Sequence, residues 1–346
     1  MRITILNKPN VIFGVICFCV LSSTLLDADI VFLSDRDGKI PVFDSEVYTM
    51  DDYGNNVVRL TSNLLYKSRP VWSPDGSKIA YGVMLTKGVH DLEEIFVIDA
   101  NGTDRNQLTD YKVLTGHPSW SPDGRRIAFA SNHTGNSEIH IVDLDSGRVS
   151  QLTHSLQEVG GNTQAPDWAP DGSKIAYILT LRGAGNHVYI IDVSGKDNRP
   201  LVKPKGLEVG VTPNASFPKW HPDSEHILYG IVSWKSMPNG NVEIVEESIL
   251  IIRELDDKPQ RLRIPDDFIL LSACWAEDGN AVIFTASAGS NIETPTDLYR
   301  YDMFTHEIRN ITNHPAEDWA PHWVNPTYAV SVVEKLTTQW AKLKKE

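Results

Sequence analysis

Cysteine is scarce: three in 346 residues, two of them within the first 19. That excludes a disulfide scaffold. Positive charge is also short, with 32 Lys and Arg against 45 Asp and Glu and a net charge of −13. A nucleic-acid binder relies on the opposite surplus, so no nucleic-acid partner is expected. No uncharged run reaches the roughly 20 residues needed to span a bilayer; the longest, Pro9–Leu26, has eighteen, sixteen of them in the apolar stretch Val11–Leu26. Catalytic signatures are missing too. There is no G-x-S-x-G elbow, no H-E-x-x-H, no P-loop and no dinucleotide fingerprint. The lack of C-x-x-C argues against structural zinc. Asp35-Arg36-Asp37 and Asp143-Leu144-Asp145 lack the rest of an EF-hand loop and read as turn residues. With 41% apolar residues the chain has ample material for a core.

What the chain does contain begins with an address. Arg2 and Lys8 precede the apolar run, and Asp27-Ala28 follows it. Residues 1–28 read as a secretory signal peptide, with a retained anchor as the rival. The expected location is periplasmic or secreted, with no stable membrane span after cleavage. The mature chain then keeps one thiol, Cys274.

Residues 29–326 repeat. RPVWSPDGSKIAYG (69–82), HPSWSPDGRRIAFA (117–130), APDWAPDGSKIAYI (165–178), FPKWHPDSEHILYG (217–230) and SACWAEDGNAVIFT (272–285) align, and APHWVNP begins a sixth unit at Ala320. The anchor tryptophans Trp72, Trp120, Trp168, Trp220, Trp275 and Trp323 are 48, 48, 52, 55 and 48 residues apart. A period near 50 built from strand signals points to a β-propeller of four-stranded blades. Within a unit, a short strand A ends near Trp, S-P-D-G turns the chain, and strands B, C and D follow, D closing on Q-L-T. The tryptophans read as core. Pro two residues before Trp suits an edge strand beside a central channel.

The phase of the repeat predicts how the ends meet. Residues 30–63 supply strands B, C and D without an A, and Ala320–Trp323 supplies an A alone. The expectation is an all-β, six-bladed propeller whose first blade is completed by N- and C-terminal strands. Residues 327–346 place Val333, Leu336, Trp340 and Leu343 at helical spacing, which predicts a short amphipathic C-terminal helix.

W-S-P-D-G followed by I-A-[YF], with echoes in S-D-R-D-G (34–38) and Q-L-T (107–109, 151–153), resembles the TolB-type propeller repeat, a WD-like repeat. The resemblance covers nearly all of the mature chain. It implies an exported six-bladed propeller that binds other proteins. TolB also carries an α/β domain ahead of its propeller, whereas here the repeat starts directly after residue 28. Similar repeats occur in propellers of prolyl peptidases and of oligogalacturonate lyases.

Two function classes follow. The first is a non-catalytic, monomeric binding propeller with a protein partner and no cofactor. The alternative is a metal-dependent polyuronate lyase acting on a small acidic carbohydrate, with channel histidines as ligands. The candidate binding residues are Arg69, His117, His154, Lys219 and His322, expected at the channel mouth on the face of the B–C and D–A loops. Long connections around Lys87, Lys235 and Asn291 lie on that face, whereas the S-P-D-G turns opposite are alike.

Overall fold

The computed structural model describes residues 29–37, 45–63, 65–86, 92–154, 161–202, 211–237, 242–256, 258–289 and 294–324. The signal peptide, the C-terminal helix, Lys87 and Asn291 lie outside them. The described residues are all-β, with one 3-10 turn at Glu277–Gly279 and no helix long and apolar enough to cross a membrane.

The strands fall into repeating sets. The first comprises β1 (Ile30–Ser34), β2 (Glu46–Met50) and β3 (Val58–Arg59). Next come β4 (Lys67–Trp72), β5 (Lys78–Met84), β6 (Glu93–Asp99) and β7 (Asn106–Gln107), then β8 (Thr115–Trp120), β9 (Arg126–Ser131), β10 (Glu138–Asp143) and β11 (Val149–Gln151). They are followed by β12 (Asn162–Trp168), β13 (Lys174–Leu181), β14 (Gly185–Asp192) and β15 (Arg199–Pro200), and by β16 (Val211–Trp220), β17 (His226–Ser236), β18 (Val242–Arg253) and β19 (Gln260–Arg261). The last are β20 (Phe268–Ala276), β21 (Ala281–Ala288), β22 (Asp297–Asp302) and β23 (Ile308–Asn310), with β24 (Asp318–Trp323) alone at the end. Each set is antiparallel. A single parallel pair, Asn186 with Asn214, joins the β12–β15 and β16–β19 sets into one eight-stranded sheet.

β24 pairs antiparallel with β1, giving the order β24-β1-β2-β3. Arg36 clamps this join. Its guanidinium reaches both carboxylate oxygens of the fully buried Asp318, at 2.9 and 3.0 Å. The inner strands β4, β8, β12, β16, β20 and β24 each pack beside the next, and β24 packs against β4.

The repeated letters have local causes. In S-P-D-G, the Gly76 N–H donates to Ser73 O at 2.9 Å, and Gly76 sits at φ +67°, where glycine has no Cβ penalty. The Ser73 hydroxyl donates to Asp75 and accepts the Lys78 N–H, at 2.7 and 2.9 Å. The threonines ending L-T and I-T reach back to strand C. Thr109 accepts the Ile95 N–H and donates to Glu94, and Thr61, Thr153 and Thr312 repeat this with Glu46, Glu138 and Asp297. The tryptophans wedge between sets: Trp168, from β12, packs among Ala128, Ile139 and Ile141 of the preceding set.

Strand A is not the plain edge strand expected from the alternation. In each of β4, β8, β12, β16 and β20 the register slips in the middle. The residue before proline, Arg69, His117, Ala165, Phe217 or Ala320, has φ between +37° and +58°. The prolines therefore sit in bulges, where a missing N–H removes no ladder bond.

Candidate functional site

Three cavities lie in series along the inner strands. At the B–C and D–A end is one of about 510 Å³. A waist of about 60 Å³ follows, and then a funnel of about 800 Å³ at the S-P-D-G end. Because of the bulge, position in strand A sets depth. Counting back from Trp, the fourth residue lines the first mouth, as Ser68, Gln164, Ser216, Leu271 and Trp319 do. The third residue lines both that mouth and the waist, as Arg69, Ala165 and Phe217 do. The second is the waist proline, and the residue next to Trp, such as Lys219 or His322, faces waist and funnel.

This divides the candidate residues. Arg69 lines the B–C/D–A mouth and the waist. His117 lines the waist. Lys219 and His322 line the waist and the opposite funnel. His154 is exposed, bonded to Gln151 at 3.1 Å, and lines none of the three cavities. His314, another D–A loop histidine, accepts the Ala316 N–H at 3.1 Å.

The residues next to Trp are already engaged. His322 Nδ1 accepts the Trp72 N–H at 3.2 Å, Ser119 Oγ the Trp168 N–H at 3.0 Å, and Asp167 the Trp220 N–H at 2.8 Å. Cys274 takes the Trp323 N–H. A partial belt results: at these joints a side chain of one inner strand caps the backbone of the next, whereas Val71 and Lys219 hold the same place in the other two strands and offer no acceptor. Sequence reasoning took Lys219 and His322 for free polar groups and did not find the belt. A signal was available: His, Ser, Asp and Cys share the capacity to accept, and they occupy one repeat position.

Charge in the waist is tightly bound. Lys219 pairs with Asp167 at 2.8 Å. Burial raises the Asp167 pKa and Lys219 opposes the rise. His322 is part-exposed to the channel yet walled in by protein; desolvation, aided by Lys219, lowers its pKa to about 3. Desolvation also holds His117 well below 6.5, with help from Arg69 and Lys219, and its Nδ1 accepts the Ala165 N–H at 2.9 Å. Burial pushes the Cys274 thiol up to about 12.

The depressed histidines predict acid sensitivity. Between pH 6.5 and about 3 the unfolded chain binds a proton at His322 that the folded chain refuses. That share of stability is complete above pH 6.5 and falls as pH drops towards 3. His322→Asn keeps an acceptor for the Trp72 N–H and does not titrate. Its melting temperature is expected to fall less than that of the parent between pH 7 and 4; equal falls would contradict the assignment.

Residues 94–236 match the family model PD40, TolB beta propeller domain, a stretch that holds the repeats anchored on Trp120, Trp168 and Trp220. No curated protein matches it. Among solved structures, TolB from Acinetobacter baumannii is 21% identical with a TM-score of 0.65, covering 86% of this chain and 67% of that one. Hydrazine synthase from Kuenenia stuttgartiensis is 14% identical with a TM-score of 0.63, covering 87% of this chain and 47% of that one. An oligogalacturonate lyase in complex with manganese is 15% identical with a TM-score of 0.50, covering 82% of this chain and 72% of that one. At these identities the likeness is one of fold.

Proposed function

We propose that this chain is an exported, non-catalytic binding propeller of six blades, closed by β24 on β1, that receives a segment of a partner protein at its B–C/D–A mouth. The pairing of β24 with β1 and the succession of inner strands back to β4 support the closed six-bladed reading. One observation carries the choice of face: the residues at that mouth change from unit to unit, while the opposite rim repeats one turn. Ser68, Gln164, Ser216, Leu271 and Trp319 hold the same place in five strands. The rim opposite reads S-P-D-G, S-P-D-G, A-P-D-G, H-P-D-S and A-E-D-G, with aspartate third in every turn. A volume near 510 Å³, with Tyr66, Phe217 and Trp319 as apolar walls and Arg69 and Gln164 as polar groups, suits an inserted peptide segment. Arg69 offers a cation to an acidic group there, against the chain's net negative charge.

The polyuronate-lyase reading is less well supported. Two of its candidate ligands, His117 and His322, have Nδ1 committed to backbone N–H groups, and His154 lies away from the cavities. Metal analysis with an ultraviolet assay for unsaturated uronate products separates the two classes.

The face is tested by two double variants in affinity purification from the native envelope fraction. Gln164→Ala with Leu271→Asp alters the B–C/D–A mouth and is expected to lose the partner. Arg125→Ala with Asp145→Ala alters exposed residues of the other rim and is expected to keep it. The reverse pattern would place binding at the funnel, and capture by both would place it on the outer sides of the blades.

A further inference from the structure

The stretch His221-Pro222-Asp223-Ser224-Glu225-His226 occupies the place of S-P-D-G and the first residue of the following strand. Ser224 replaces the turn glycine, and two further departures, His221 and His226, face the same carboxylate. His221 stands where Ser73 and Ser121 stand, and His226 stands where Lys78, Arg126 and Lys174 stand. Asp223 Oδ2 lies 3.0 Å from His221 Nδ1 and 2.7 Å from His226 Nδ1. The three donor atoms lie within 4.8 Å of one another, and this is the one such trio of His, Cys, Asp or Glu among the described residues.

The His221 ring is held in place by the neighbouring set of strands. Trp275 meets it edge-on at 4.6 Å between centroids. Gly279 approaches so closely that a Cβ there would fall 1.9 Å from His221 Nε2. The Nε2 edge is thus packed away, and the Nδ1 edge is turned to Asp223.

Turn capping explains serine at this position better than it explains histidine. The Ser73 hydroxyl donates to the turn aspartate and accepts a backbone N–H at the same time. His221 Nδ1 faces the Asp223 N–H at 3.1 Å and Asp223 Oδ2 at 3.0 Å. A single ring nitrogen carries either a lone pair or a proton, so it satisfies one of these and not both. A cation among the two nitrogens and the oxygen takes the His221 Nδ1 lone pair and removes the mismatch with the carboxylate; the Asp223 N–H it releases lies on an exposed turn where solvent can accept it, unlike the part-buried N–H groups held by His117 and His322.

We propose that His221, Asp223 and His226 bind a divalent zinc-class cation on the rim of the S-P-D-G face. Two imidazoles and a carboxylate form a borderline donor set suited to Zn²⁺, and to Ni²⁺ or Cu²⁺ in competition. Donors about 2.0–2.1 Å from one ion stand roughly 2.9–3.4 Å apart, for octahedral through tetrahedral angles. The N–O separations here, 2.7 and 3.0 Å, require only a small opening. Asp223 and His226 are part-exposed; Oδ1 of Asp223 accepts the Glu225 and His226 N–H groups at 2.8 and 3.0 Å, which leaves Oδ2 as the ligand atom. Remaining coordination positions face water. The site lies apart from the mouth assigned to partner binding and does not depend on that assignment.

The test uses tag-free, chelator-stripped full chain titrated with ZnCl₂ in a calorimeter. The control variant His221→Ser with His226→Lys restores the residues that the repeat itself uses, so the turn keeps its design. The parent chain is expected to take up one equivalent of Zn²⁺ that the variant binds about tenfold more weakly or not at all, to gain melting temperature with Zn²⁺ where the variant does not, and to show a change in tryptophan fluorescence from Trp275. Asp223→Asn, tested separately, is expected to lose the same equivalent. The proposal is overturned if the parent binds no Zn²⁺, or if the restored-repeat variant binds it with unchanged stoichiometry and affinity.

Discussion

A chain ending at His314 is expected to show no cooperative unfolding transition. That cut removes β24, the antiparallel partner of β1. It leaves Arg36 without Asp318, and Trp72 without the imidazole that accepts its N–H. It also opens the cluster in which Val31, Leu33 and Trp72 pack with Trp319, Ala320 and Val324. β1 becomes a bare edge of buried apolar residues, the kind of edge that pairs with other chains. Circular dichroism through a urea titration reads the result. A truncated protein with a near-parental midpoint and slope would mean that the join contributes little, and the closed reading would fall.

Trp120→Ala is expected to cost about 3–5 kcal/mol, the range for emptying a buried large aromatic site. Trp120 is 8% exposed and packs with Val71, Ala80 and Ile95 of the preceding set and Ile127 of its own. Its indole N–H has no protein partner, so the loss is one of packing and not of a hydrogen bond. Because the side chain spans two sets, the hole opens between blades, where neither sheet can collapse alone to fill it. Denaturant titration measures the cost; a value under about 1 kcal/mol would mean the site closes up or is dispensable.

Much of the fold was legible because the repeat shows each strand several times. The β10 bounds, Glu138–Asp143, follow from turn letters on both sides, and the pairing of β24 with β1 follows from the phase of the units. The bulge was not legible. Alternation assumes one residue per pleat, and the positive φ at Arg69 or His117 breaks that count without any glycine to announce it. The same slip sends Arg69 towards one mouth and Lys219 and His322 towards the other, although all three sit within three residues of Trp. The histidine–aspartate trio was visible in H-P-D-S-E-H, but only to a comparison of columns. Read along the chain it is one more turn.

The belt of side chains next to tryptophan gives the molecule a direction of dependence. The acceptor for Trp168 belongs to β8, that for Trp220 to β12, and that for Trp72 to β24. At these joints a unit does not contain its own fastening; it borrows that of its predecessor, and only the Val71 and Lys219 units carry none for their successors. Excising one repeat breaks two joints, and grafting another in its place restores them only where the residue next to its tryptophan can accept. Swapping the residue type within the belt, serine for aspartate or histidine, keeps the grammar intact. At these joints the place next to tryptophan is thus fixed, while the accepting letter that fills it is not.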